Sequence, residues 1–167
     1  ITEPAAALAA TSVVTNVLCN GDATGSIDIT VTDGTAGYTY SWVASNGGSL
    51  GSNLANAEDL TGLIAGDYTC DITDANGCPL VHTKTITEPA AALAATSVVT
   101  NVLCNGLATG SIDITVTGGV GPYMSSINGS IPMPITLFTG LPVGLYNIQL
   151  YDSYGCYSDT IIEIMGP

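Results

Sequence analysis

Cysteine is the residue type here most able to do chemistry, and its spacing repeats. Cys19 and Cys104 lie in identical V-L-C-N-G segments, Cys78 and Cys156 each follow a glycine, and Cys70 has no cysteine counterpart. No C-x-x-C pair is present, so a metal centre is a poor reading and disulfides of an oxidising compartment a better one. The repetition predicts one bridge per copy, Cys19–Cys78 and Cys104–Cys156. Each would close a long loop worth about 4 kcal/mol of chain entropy. A second set of chemical candidates is acidic. Asp71, Asp74 and Asn76, with Asp152 as counterpart, cluster near a turn and could hold calcium. That ion wants six to eight oxygens in a defined loop, and Asn76 is answered by Tyr154 in the other copy. Asp and Asn bonding their own turn backbone is the simpler reading, so no cofactor is expected.

Catalytic groups are sparse. His82 is the sole histidine and aligns with Thr160, so the copies share no base. No Ser, His and Asp set recurs in both. Glu58-Asp59 reads as a solvated loop. Lys84 aligns with Ile162, which excludes an intramolecular lysine cross-link as a property of the repeat. The chain is therefore read as non-enzymatic. Fourteen acids against a single Lys or Arg give a net charge of −13. Such a surface cannot neutralise phosphates and is repelled by anionic headgroups, which argues against nucleic acid and membrane surfaces. No apolar run approaches the roughly 18 residues of a membrane span.

The elements that position these groups follow from the repeat itself. Residues 1–21 return letter for letter at 86–106, and A-T-G-S-I-D-I-T-V-T at 23–32 returns at 108–117. A separation of one small domain predicts two tandem modules, 1–87 and 88–167. Residues 1–4 are read as the tail of a preceding repeat, a strand able to pair with a neighbour's edge. Ile27, Ile29 and Val31 alternate with Asp28, Thr30 and Thr32, and Tyr38, Tyr40 and Trp42 with Thr39 and Ser41. Period-two runs of this kind, broken by Gly, Asn and Asp clusters, predict an all-β sandwich or barrel. Strands are also expected at Tyr68–Ile72, Tyr146–Leu150 and Leu80–Ile86, with an Asn76-Gly77 turn before the last. Ala5–Ala10 reads as an extended link entering the first strand, because six residues are too few to hold a helix. Pro122–Phe138 carries a poor strand pattern.

The order I-T-E-P, V-L-C-N-G, G-S-I-D-I-T-V-T, G-Y-T-Y-S-W, L-T-G-L-I-A-G-D-Y-T and D-A-N-G-C resembles the SprB-type repeats of giant surface proteins of Bacteroidota, including gliding-motility adhesins. The resemblance implies two tandem immunoglobulin-like β-sandwich modules strung outside the cell and secreted through the outer membrane. Tyr68-x-Cys70 has the spacing of an immunoglobulin tyrosine corner, which offers Cys70 as a rival partner for Cys19. Against that, Cys70 aligns with Ile148, a core-facing slot that suits a buried free thiol.

The expected role is a structural repeat of a long extracellular adhesin or filament. Its partners would be neighbouring repeats of the same chain and other copies through terminal strands. The alternative is a polysaccharide-binding module using Tyr123, Tyr151, Tyr154 and Tyr157 of the second copy. Asp159-Thr160-Ile161 matches a short O-glycosylation motif at Thr160, and Asn128-Gly129-Ser130 a formal N-glycosylation sequon.

Overall fold

Alternating β-branched residues with glycine-rich breaks produce strands throughout the described residues, 6–167, of this computed structural model. The first unit, Ile1–Glu88, contains β1 (Ala9–Thr15), β2 (Gly25–Thr32), β3 (Thr39–Ser45), β4 (Leu60–Leu63), β5 (Gly66–Thr73) and β6 (Pro79–Ile86). The second, Pro89–Pro167, contains β7 (Ala94–Thr100), β8 (Gly110–Thr117), β9 (Met124–Ile127), β10 (Leu137–Leu141), β11 (Gly144–Tyr151) and β12 (Tyr157–Ile164). Residues 1–5, and with them the reading of residues 1–4 as a pairing strand, lie outside the described part. Ala9 and Ala10 are already in β1, so the alanine run enters the sheet extended.

Each unit is a sandwich of two three-stranded antiparallel sheets. The orders are β1-β2-β4 and β3-β5-β6 in the first, and β7-β8-β10 and β9-β11-β12 in the second. Inward residues of both sheets meet in one core. In the first unit these include Ile27 and Ile29 of β2, Trp42 of β3, Leu60 and Leu63 of β4, and Tyr68, Cys70 and Ile72 of β5. This is the immunoglobulin-like arrangement, with the expected alternation of apolar-in and polar-out positions.

Two local devices recur in both units. Tyr68 is fully buried and its hydroxyl donates to the Ile64 carbonyl at 2.8 Å, four residues back. Tyr146 does the same to Pro142 at 2.7 Å. These are tyrosine corners at the start of the central strand. Gly25 and Gly110 allow the second device, a close approach at one end of the sandwich. A Cβ on Gly25 would lie 2.9 Å from both Ile86 Cγ2 and the Leu63 oxygen, and one on Gly110 would lie 2.8 Å from Ile164 Cγ2 and the Leu141 oxygen. No other residue fits there without displacing a core isoleucine or the backbone.

The units differ in the middle. β9 has four residues where β3 has seven, and Met133 bridges back to Ser125. Ser125 and Ser126 are buried and satisfied by the Ile135 carbonyl and Gln149 Oε1. Trp42 stands opposite Cys70 in register, whereas Ile127 stands opposite Ile148. A large–small pair in one core is thus replaced by two middle-sized residues in the other, which preserves packing.

Trp42 is the sole tryptophan, so its fluorescence follows the first unit alone. Tyr68→Phe leaves the part-buried Ile64 carbonyl without its tyrosine donor. Urea unfolding read by that fluorescence should lose about 1–3 kcal/mol in this variant.

Candidate functional site: the two ends of each module

The hairpin joining β5 to β6 is organised by Asp74, which is buried. Its Oδ1 accepts the N–H groups of Asn76 (2.9 Å) and Cys78 (2.8 Å), and its Oδ2 accepts that of Thr35 (3.0 Å) in the β2–β3 loop. Asp152 repeats the arrangement with Tyr154, Cys156 and Val120, each at 2.9 Å. The backbone N–H groups of Cys78 and Thr35 hold the Asp74 carboxyl below the ordinary carboxylate range. These oxygens are engaged by backbone donors, and Asp71 faces outward from β5, so the candidate calcium set does not assemble. Among the described residues no group of three His, Cys, Asp or Glu could hold a metal.

The opposite end is built by the loop after β1. Val17 N–H donates to the Thr87 carbonyl (2.9 Å), the Asn16 side chain accepts Thr87 N–H (2.9 Å), and Gly21 N–H donates to Glu88 Oε2 (2.5 Å). In the second unit Val102 N–H reaches the Met165 carbonyl (3.0 Å) and Asn101 accepts Met165 N–H (2.9 Å). A shallow cleft beside this end is lined by Gly21, Gly47, Asp67, Thr85 and Glu88. Its carboxylates are already engaged: Asp67 accepts from Thr85 Oγ1 (2.6 Å) and Asn46 Nδ2 (2.5 Å), bonds that lower its pKa.

This placement corrects the expected bridges. Cys19 follows β1, at the end where β6 finishes, whereas Cys78 immediately precedes β6. The eight residues of β6 span roughly 23 Å at about 3.3 Å each, while a disulfide needs its Cα atoms about 4.4–6.8 Å apart. Cys104 and Cys156 are separated in the same way by β12. Cys78 and Cys104 are exposed free thiols, so neither Cys19–Cys78 nor Cys104–Cys156 forms. Cys19 and Cys156 are disulfide-bonded. Cys70 is a free thiol buried opposite Trp42, and burial pushes it up to about 11.

The expected glycan tyrosines separate into two kinds. Tyr123 packs on the core and donates to the Gly118 carbonyl at 2.9 Å, as Tyr38 does to Asp33 at 2.8 Å. It locks its own loop, has a counterpart in the first unit, and is only partly exposed. Tyr151 and Tyr157 do meet on the outer face of β11 and β12, with ring centroids 5.3 Å apart at 50°. Gln149 Nε2 donates to Tyr157 Oη at 3.2 Å, and Tyr154 is half-exposed in the adjoining hairpin. Thr160 is exposed on β12. The Asn128 side chain of the sequon accepts Asn147 N–H at 2.9 Å.

His82 Nε2 lies 3.0 Å from Ser12 Oγ, across the seam between β6 and β1. Burial and Lys84 lower its pKa. Among the described residues no carboxylate orients its other ring nitrogen, so the contact lacks the third member that activates a serine.

The residues that sequence reasoning undervalued are Asp74, Asp152, Asn16 and Asn101, each visible beforehand only as a polar residue kept at the same place in both copies. Asp74 has a depressed pKa in the fold, so its stabilisation is complete above about pH 4 and fades as pH falls below that. Acid titration followed by Trp42 fluorescence should show this loss. Asp74→Asn should be less stable at pH 7, because an amide nitrogen then confronts Thr35 N–H, and its acid dependence should be shallower. Alkylation should mark Cys78 and Cys104 in the native protein, Cys70 only after unfolding, and Cys19 and Cys156 only after reduction, as read by peptide mass spectrometry.

The chain is similar in structure to tandem immunoglobulin domains. The N-terminal eight domains of Down syndrome cell adhesion molecule share 11% identity over 96% of this chain, which spans a quarter of theirs, at a TM-score of 0.46. The N-terminal four domains of Dscam1 share 13% identity over 99% of this chain and 48% of that one, at a TM-score of 0.40. The two domains IG1 and IG2 of DIP-gamma share 9% over 96% and 98%, at a TM-score of 0.43. No curated protein matches the sequence. The SprB repeat family matches residues 11–48 and 96–130, one stretch in each unit. The likeness to SprB-type repeats is therefore present in both copies, spanning β1 to β3 of the first and reaching past β9 in the second.

Proposed function

We propose that this chain is a structural repeat segment of a long extracellular adhesin or filament, holding a functional tip away from the cell that carries it. One observation carries the reading: both copies close their two ends with the same backbone-directed bonds, at Asp74 and Asp152 on one side and Asn16 and Asn101 on the other. A unit finished in this way can be repeated without altering its neighbours. The SprB match supports an adhesin-like repeat, and the disulfide chemistry suits an extracellular setting. Among the described residues no helix is long and apolar enough to cross a membrane. The strong negative charge keeps an extended chain from collapsing on itself.

A second reading rests on the Tyr151–Tyr157 pair, whose positions are Thr73 and Pro79 in the first copy. Two mutually tilted rings beside an amide offer apolar surface and hydrogen-bonding groups to a sugar, so the second copy would be a polysaccharide contact within the stalk. Electron microscopy of the native material should show long threads, and compact particles would overturn the stalk. On a glycan array, saturable binding lost in Tyr157→Ala would establish the second role, and an empty array would remove it.

A further inference from the structure

We propose that the outer face of β9, β11 and β12 binds polymers of amino sugars carrying free ammonium groups, with a sugar ring against Tyr151 and Tyr157 and its ammonium paired to Asp159. The inference rests on the polysaccharide reading of the second copy and deepens it by naming the sugar class and the residue that selects it.

Strand register lays one apolar row across the whole sheet. Met124 of β9 stands opposite Tyr151 of β11, which stands opposite Tyr157 of β12. The same row in the first copy is Thr39, Thr73 and Pro79, so the platform belongs to the second copy and is not required by the fold. Tyr154 extends it into the hairpin, where the first copy has Asn76. Met124, Tyr154 and Tyr157 are each about half exposed, and clustered apolar groups on an outer face mark a binding surface. The platform is also held in place before any ligand arrives. Gln149 Nε2 donates to Tyr157 Oη (3.2 Å), while Gln149 Oε1 accepts from the hydroxyl of buried Ser126 (3.0 Å). Rings fixed in this way lose little freedom on binding.

The charge beside the platform has a single sign. Asp159 is exposed two residues beyond Tyr157 on the same face of β12, opposite Gln149. Two strand rises separate the pair by roughly 7 Å, which lets a sugar lie on the rings with a substituent at the carboxylate. The first copy has Val81 at this position. Residues 89–167 hold four carboxylates and no Lys, Arg or His. Uronic acids and sulfated sugars are therefore repelled, and a cationic sugar is attracted. An ammonium close to tyrosine faces gains further from the ring quadrupole. A lysine-rich peptide shares the charge but brings neither a flat apolar face nor hydroxyls to the two rings, so the sugar is the better fit.

The test is calorimetric titration of the whole chain with a glucosamine hexamer and with its N-acetylated form. It is run at about pH 5.5, where the amines are charged and exposed carboxylates ionised. The charged hexamer should saturate and bind about fivefold tighter than the acetylated one, the scale of an exposed ion pair. Asp159→Asn should erase that preference and keep the weaker binding, and Tyr157→Ala should lose both hexamers. Asp113→Asn, an equal change of charge on β8 of the other sheet, should leave both affinities unchanged. Circular dichroism checks that each variant folds. Equal affinity for the two hexamers in wild type would overturn the proposal, as would equal losses in Asp113→Asn and Asp159→Asn. So would a hexalysine peptide that binds as tightly as the charged hexamer and is lost in the same variants. If neither hexamer binds but another polysaccharide is retained through Tyr157, the cationic class falls and the polysaccharide reading stands. Binding of no sugar at all removes both.

Discussion

A buried carboxylate with three backbone N–H groups converging on it sets the geometry at one end of each sandwich. Asp74 and Asp152 join a hairpin of one sheet to a loop that leaves the other, so the two layers are held in register through a single side chain. Charged hydrogen bonds to backbone are among the stronger ones available to a small domain. A domain of this size buries too little surface to rely on its core alone. The same bonds also aim the cysteine that follows, since its own N–H is one of the three donors.

The far end uses a different solution with the same logic. Asn16 and Asn101 accept an N–H just past the last strand, and the loop's own valine donates back to the carbonyl there. The residues contacted are Thr87 in one copy and Met165 in the other, so side-chain identity is irrelevant to the bond. What the sequence must supply is the asparagine, a buried isoleucine at the strand's end, and a glycine opposite it, where any Cβ would lie within 2.9 Å of the isoleucine.

Between the two ends, the copies are free to diverge. Trp42 with Cys70 fills the space that Ile127 with Ile148 fills in the second core. Shortening β9 places two serines in the interior, and each finds an acceptor. Divergence on the outer face brought Tyr151 and Tyr157 together, a change the frame absorbs because neither side chain enters the core. The tyrosine corners stay in both copies because each satisfies a carbonyl four residues back.

Much of this was legible in the chain itself. Alternation at Ile27, Ile29 and Val31 fixes which face of β2 is buried, because side chains on a strand must point alternately. The Asn76-Gly77 step marks the hairpin, and the letter-for-letter repeat implies that the fold occurs twice. Tertiary structure alone decided where each loop ends up. The chain reverses direction between Ser45 and Leu60 without forming a strand, passing beside Trp42 through the bond from its N–H to the Ala55 carbonyl. That return leaves no periodic trace. Likewise, repetition of the cysteines in both copies suggests Cys19 and Cys78 as partners, although they lie at opposite ends of β6. Tyr123 was hidden for a related reason: whether an aromatic ring faces solvent or locks a loop depends on a carbonyl five residues away, and only the folded backbone places it there.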